Sequence, residues 1–126
     1  MYKIVIVTSR QDDFGEFRRA LETTERNIAL QWASSGSDAL TIASETTPEL
    51  LVVDETLEDM DGLTLIRKLL GVNAMINTAL ISRLSSSEFH EATEGLGILS
   101  NLPVVPGKTD ANAILTILSG IVKSKL

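Results

Sequence analysis

The sequence predicts an α/β domain: an open sheet of five parallel strands with helices on both faces. Two observations lead there. Along 126 residues, short apolar runs alternate five times with helical patterns. The runs "IVIV", "LLVV" and "TALIS" also show little in–out alternation. A strand that is apolar on both sides is buried on both sides, which is the situation of parallel strands between two helix layers. The length is that of one ordinary domain, so residues 1–126 are expected to form a single unit.

The elements follow in order. "IVIV" (4–7) is the first strand, bounded by Thr8 and Ser9. Phe14, Phe17 and Leu21 recur at helical spacing, giving an amphipathic helix from about Asp12 to Thr24. "IALQWA" (28–33) is the second strand. Gly36 marks a turn, and Ser37 or Asp38 caps a helix that stops before Pro48. "LLVV" (50–53) is the most apolar strand and belongs at the middle of the sheet. Leu63, Leu65, Ile66, Leu69 and Leu70 make the third helix, ended by Gly71. "TALIS" (78–82) is the fourth strand, "SSSEFHEATEG" (85–95) a capped polar helix, "PVV" (103–105) the fifth strand, and residues 110–124 the last helix.

Composition excludes several functions. With 44% hydrophobic residues the chain can bury a core, and with no cysteine it has neither disulfides nor thiolate metal sites. One histidine, His90, cannot make a histidine-based metal site alone. A net charge of −6 without a basic cluster argues against direct nucleic-acid binding. No run approaches the ~20 apolar residues of a membrane span, and "IVIV" is too short for a signal peptide's apolar region. A cytoplasmic protein is expected.

In open parallel sheets the site lies at the carboxyl ends of the strands. The residues there are Thr8 and Ser9, Ala33 and Ser34, Asp54, Ser82 and Arg83, and Pro106 with Gly107. Asp54 ends the central strand and is the candidate functional acid. The competing reading makes it a cap for the next turn, a job for which "DETLEDMDG" offers several other acids.

The stretch "PELLVVDETLEDMDGLTLIRKL" resembles the segment around the phospho-acceptor of response-regulator receiver domains. Asp54 falls on the phospho-acceptor, and Met60, Asp61 and Gly62 on the ending of the loop that follows. Leu57 and Glu58 stand where that family usually has Met-Pro. "SSGSDAL" (34–40) is similar to the turn into the second helix, and Ser82 falls on the hydroxyl residue ending the fourth strand. The resemblance covers the whole chain. It implies a flavodoxin-like receiver architecture and a place in a two-component phosphorelay. It further implies a sensor histidine kinase or other signalling protein as partner, no enzyme turnover, and a Mg²⁺ ion held by acids beside the acceptor.

The departures matter for that chemistry. Thr8 and Ser9 take the positions of the acid pair that normally holds Mg²⁺. Asp12 and Asp13 arrive about one helical turn late, where they favour a helix N-terminus; the alternative is a displaced metal site. Any ion would rest on Asp54 and the Thr56 backbone, so Mg²⁺ is expected to bind weakly at most and no cofactor is assigned. Pro106 and Gly107 stand where the family has Lys-Pro, and Lys108 either reaches back to the site or lies solvated. Arg83 either pairs with Asp54 bidentately, standing in for metal and lysine together, or points to solvent.

Two functions follow. One is a receiver-type module acting by protein–protein interaction, either phosphorylated at Asp54 or a pseudo-receiver that works without phosphorylation. The other is a small-molecule or nucleotide-binding domain on a flavodoxin-like sheet. "TSRQDD" has hydroxyls for phosphate but no glycine, and its acids repel an anion. On the last helix, Ile114, Leu115, Ile117, Leu118, Ile121 and Val122 cover about half the circumference, more than one sheet face requires. The excess implies a further contact, a homodimer through this helix among them, or deeper burial under neighbouring loops.

Overall fold

In the computed structural model, which describes residues 2–24 and 27–124 and side chains as far as residue 121, five strands form one sheet. They are β1 (Tyr2–Val7), β2 (Ile28–Ala33), β3 (Leu50–Val53), β4 (Asn77–Ile81) and β5 (Ile98–Leu102). All pairings are parallel and the order is β2-β1-β3-β4-β5, with the "LLVV" strand in the middle. The helices are α1 (Gly15–Glu22), α2 (Gly36–Thr46), α3 (Gly62–Val72), α4 (Ser86–Thr93) and α5 (Lys108–Ser124). Among the described residues no helix is long and apolar enough to cross a membrane.

The continuous apolar runs are explained by two separate cores. Successive side chains of a strand point to opposite faces. Ile4, Ile6, Leu50, Val52, Ala79 and Ile81 therefore pack with Phe14, Phe17 and Leu21 from the α1 side and Ala111, Ile114, Leu115 and Leu118 of α5. Val5, Val7, Leu51, Val53 and Leu80 face the other way, against Ala39 and Ala43 of α2, Leu65, Ile66 and Leu69 of α3, and Phe89 of α4. Burying each large aliphatic side chain contributes roughly 1.5–3 kcal/mol, and all four residues of β3 are fully buried.

Several boundaries differ from the sequence reading. The fifth strand is "ILSNL", not "PVV": residues 103–105 lie beyond it. Pro103 has no N–H to give a ladder, whereas the half-exposed, partly polar strand before it suits a sheet edge, where its register with β4 shifts at a bulge. The first helix is broken in two, a 3₁₀ turn (Gln11–Phe14) leading into α1. The cap of α2 is Ser35, not Ser37 or Asp38; its hydroxyl accepts the Asp38 N–H at 3.1 Å. That helix ends on Thr47 in the left-handed conformation of a helix C-terminus (φ 43°), and Pro48 next to it bars a further helical turn. Gly71 does not end α3, which runs to Val72 with Asn73 as its C-cap. The fourth helix begins as expected, with a full capping box between Ser85 and Glu88.

The broad apolar face of α5 is largely covered by its own chain. Ile114, Leu115 and Leu118 are buried, while Ile117 is 40% exposed. The Val122 side chain lies outside the described residues.

Candidate functional site

The geometry begins with the pairing of β1 and β3. Val7 lies beside Val53, and the Asp54 N–H donates to the Val7 carbonyl at 2.9 Å. The loops leaving these two strands therefore start side by side at the carboxyl edge. Asp54 is 2% exposed. An acid buried this deeply must be neutralised or hydrogen-bonded.

It is both. Arg10, two residues after Thr8 in the β1–α1 loop, lays its guanidinium across the carboxylate: Nε donates to Oδ2 at 2.9 Å and Nη2 to Oδ1 at 3.0 Å. The Thr8 hydroxyl donates to Oδ2 at 2.7 Å, and the Glu55 N–H to Oδ1 at 2.9 Å. Four donors fill the roughly four acceptor directions of a carboxylate. The hydrogen bond to Asp54 is the main cause that raises the Arg10 pKa above its ordinary value; burial opposes it, and the charges of Asp54 and Asp13 add to it. The guanidinium is thus a permanent cation. Two of its three remaining N–H donors go to the Asp13 carboxylate (Nη1, 2.9 Å) and the Val104 carbonyl (Nη2, 3.0 Å), and its central carbon lies 5.5 Å from the Phe14 ring centre.

The loop after Asp54 is held tightly. An isolated bridge joins Thr56 to Asp61, and the Gly62 N–H returns to the Glu55 carbonyl at 3.0 Å. Gly62 is a glycine because a Cβ there would run into the Asp54 carbonyl oxygen, with Leu80 and Val53 behind it. At the far side Asp59 accepts the Gly36 and Ser37 N–H groups at 2.8 and 3.0 Å, clipping the loop to the start of α2. Those two backbone bonds, that of Gly36 first, hold the Asp59 carboxyl below its usual range.

The remaining candidates lie around this pair, and Arg83 and Lys108 take the solvent-facing alternatives of the sequence reading. Arg83 is not the partner of Asp54: it is 77% exposed and lies on Glu55, Nε to Oε1 at 3.1 Å, because Glu55 also takes the Arg83 backbone N–H. Ser82 is buried, and its hydroxyl accepts the Leu84 N–H at 3.0 Å. Lys108 is exposed; its backbone N–H, not its ammonium, is anchored, donating to Glu16 Oε1 at 3.0 Å. Ser9 is exposed and, with Thr8, Arg10, Gln11, Asp12, Ser34 and Glu58, lines a shallow cavity of 260 Å³. Asp12 and Asp13 sit in the 3₁₀ turn, where Asp13 is a partner of Arg10.

Arg10 is the residue the sequence reading missed. Its signal was present: a cation in the same loop as Thr8 and Ser9, at the edge where Asp54 emerges. The adjacency of β1 and β3 turns that proximity into a fork.

These residues do not fit the Mg²⁺ ion that the receiver resemblance implies. Mg²⁺ takes several hard oxygens in near-octahedral array. Here the Asp54 oxygens are saturated by N–H and O–H donors, the neighbouring positions are hydroxyls, and a fixed cation already faces the acid. No group of three or more His, Cys, Asp or Glu side chains is placed for a metal among the described residues.

The class is clear from the architecture: the chain has the fold of response-regulator receiver domains, and solved structures similar to it include receivers. One is the receiver domain of a Francisella response regulator, at TM-score 0.81 and 19% identity, over 97% of this chain and 99% of that one. Another is a CheY-like receiver domain protein from Methanospirillum hungatei, at TM-score 0.80 and 18% identity, over 98% of both chains. A third is a two-component response regulator from Legionella pneumophila, at TM-score 0.78 and 20% identity, over 95% and 99% of the respective chains. The sequence matches no family model and no curated protein. Likeness at this identity is likeness of fold, and the chemistry rests on the residues described above.

Proposed function

We propose that the chain is a signalling receiver module of the two-component type whose Asp54 is not a working phospho-acceptor, so that it acts by protein–protein contact without phosphorylation. One observation carries this reading: the Arg10 fork on both oxygens of a buried Asp54. A carboxylate attacks phosphorus through a free oxygen lone pair, and a metal assists by neutralising the incoming phosphoryl charge. Here neither oxygen is free, and the metal's acids are replaced by Thr8 and Ser9. The partner is another signalling protein, a sensor kinase or a second copy of this chain meeting through Ile117 on α5, and the setting is the cytoplasm. No catalytic turnover is assigned.

The test is titration with Mg²⁺ and beryllofluoride, followed by amide NMR or by Trp32 fluorescence. Trp32 packs edge-on to Phe14, which in turn lies under Arg10, so it reports on this corner. The expected result is no saturable change below millimolar Mg²⁺, and no acyl phosphate from small phosphodonors. Replacing Thr8 and Ser9 by Asp and Arg10 by Ala in one chain restores oxygen ligands and should strengthen Mg²⁺ binding. Tight Mg²⁺ binding and prompt labelling of Asp54 in the unmodified protein would return the chain to the ordinary phospho-receivers.

A further inference from the structure

One side chain joins three segments that are far apart in sequence. Arg10 leaves the β1–α1 loop, forks onto Asp54 at the end of β3, and with the same Nη2 holds the Val104 carbonyl in the β5–α5 segment. The other anchors of this segment lie at its α5 end, where the Gly107 carbonyl accepts the Ala111 N–H and the Lys108 N–H donates to Glu16. Pro103 and Pro106 have no N–H, Val105 is 63% exposed, and Gly107 is bonded to Asp110 of α5. Asn101, at the end of β5, has a buried side-chain oxygen with no hydrogen-bond partner.

We propose that Arg10 is a metal-free latch, a positioning residue through which the Asp54 pocket sets the placement of residues 103–107 and of the exposed Val105 they present. The proposal rests on the reading of Asp54 as a fixed, unphosphorylated acid. It goes further in assigning the work of a bound cation to a side chain of this protein. The shape of the guanidinium is what makes the latch. Its donors lie in one plane in a fixed fork, so seating two on the carboxylate fixes the direction of the others. A lysine ammonium has the charge but is a point donor on a flexible stem, and cannot reproduce that arrangement. Any event that opens the Asp54 pair therefore also releases Val104.

The experiment needs neither metal nor phosphodonor, so its failure is distinct from failure of the proposed function. Amide hydrogen exchange is measured by NMR on the full chain, on Arg10→Lys, and on the paired variant Arg10→Met with Asp54→Leu, which leaves no unpaired buried charge. Arg83→Ala serves as a control, since Arg83 lies on Glu55. In both Arg10 variants the amide of Val105, which shares its peptide unit with the Val104 carbonyl, should shift, and those of Gly107 and Lys108, protected by Asp110 and Glu16, should exchange faster by about threefold to tenfold as the segment loosens. Gly36 and Ser37, held at the other end of the site by Asp59, should keep their rates. Unchanged amides across 104–108 in both variants would overturn the latch. So would a rise across 104–108 no larger than the rise in the sheet core, which reports only the loss of global stability. Unfolding of Arg10→Lys would overturn it too, because the guanidinium would then serve the stability of the domain and not the placement of one segment.

Discussion

Removing the Arg10 side chain is the most informative perturbation of stability. In Arg10→Ala the Asp54 carboxylate, 2% exposed, loses both arms of its counter-ion. Breaking a buried pair from one side costs about 3–5 kcal/mol. Two features lower that figure here. The Arg10 side chain is 30% exposed, so water partly screens the pair, and Asp54 keeps the Thr8 hydroxyl and the Glu55 N–H. A loss of about 2–3 kcal/mol is expected, which at a typical urea slope lowers the unfolding midpoint by roughly 1–2 M. The assay is a double-mutant cycle with Asp54→Ala in equilibrium urea unfolding. Asp54→Ala alone should be milder, because the stranded arginine can turn to water. The double variant should be less destabilised than the sum of the singles, with a coupling of about 1–3 kcal/mol. A loss below about 0.5 kcal/mol for Arg10→Ala, or strict additivity, would refute the reasoning: Asp54 would then not depend on its arginine.

Other perturbations test separate contacts. Gly62→Ala should destabilise by about 1–3 kcal/mol or more, because the new methyl meets the rigid Asp54 carbonyl, and thermal unfolding would show it. Gly36→Ala should be gentler, since the atoms nearest its methyl belong to the flexible Met60 side chain. Arg83→Ala should change stability by no more than about 1 kcal/mol, its ion pair with Glu55 being at the surface; a larger loss in urea melts would mean Arg83 supports the site after all. Asp61, the N-cap of α3, is held below its usual pKa by the Thr64 N–H first and the Thr64 hydroxyl second. A pKa lowered on folding adds stability above the unfolded value near about 4 and loses it as pH falls through the lower folded value. Asp61→Asn should therefore flatten the acid limb of a stability–pH profile, and Asp61→Ala should cost about 1 kcal/mol at neutral pH.

The sequence by itself determined the sheet, its central strand and the place of the acid. Continuous apolar runs leave no exposed face, so helices must cover both sides, and Asp54 interrupts the most apolar run at the one edge where a carboxylate can emerge. It was less informative wherever an element is only half buried. The fifth strand was misplaced because an edge strand such as "ILSNL" needs no apolar continuity, and the nearby valines drew the assignment into a proline-flanked loop. The cap of α2 lies two or three residues before the expected Ser37 or Asp38 because several Ser and Asp side chains suit the task, and only the path of the chain chooses Ser35. The partner of Asp54 was decided by tertiary structure alone. Arg83 is adjacent to Ser82 in sequence but is turned outward onto Glu55, while Arg10 reaches Asp54 across 44 residues because β1 and β3 are neighbours in the sheet. Residue type and spacing say which charges are available; strand order and side-chain direction decide which of them meet.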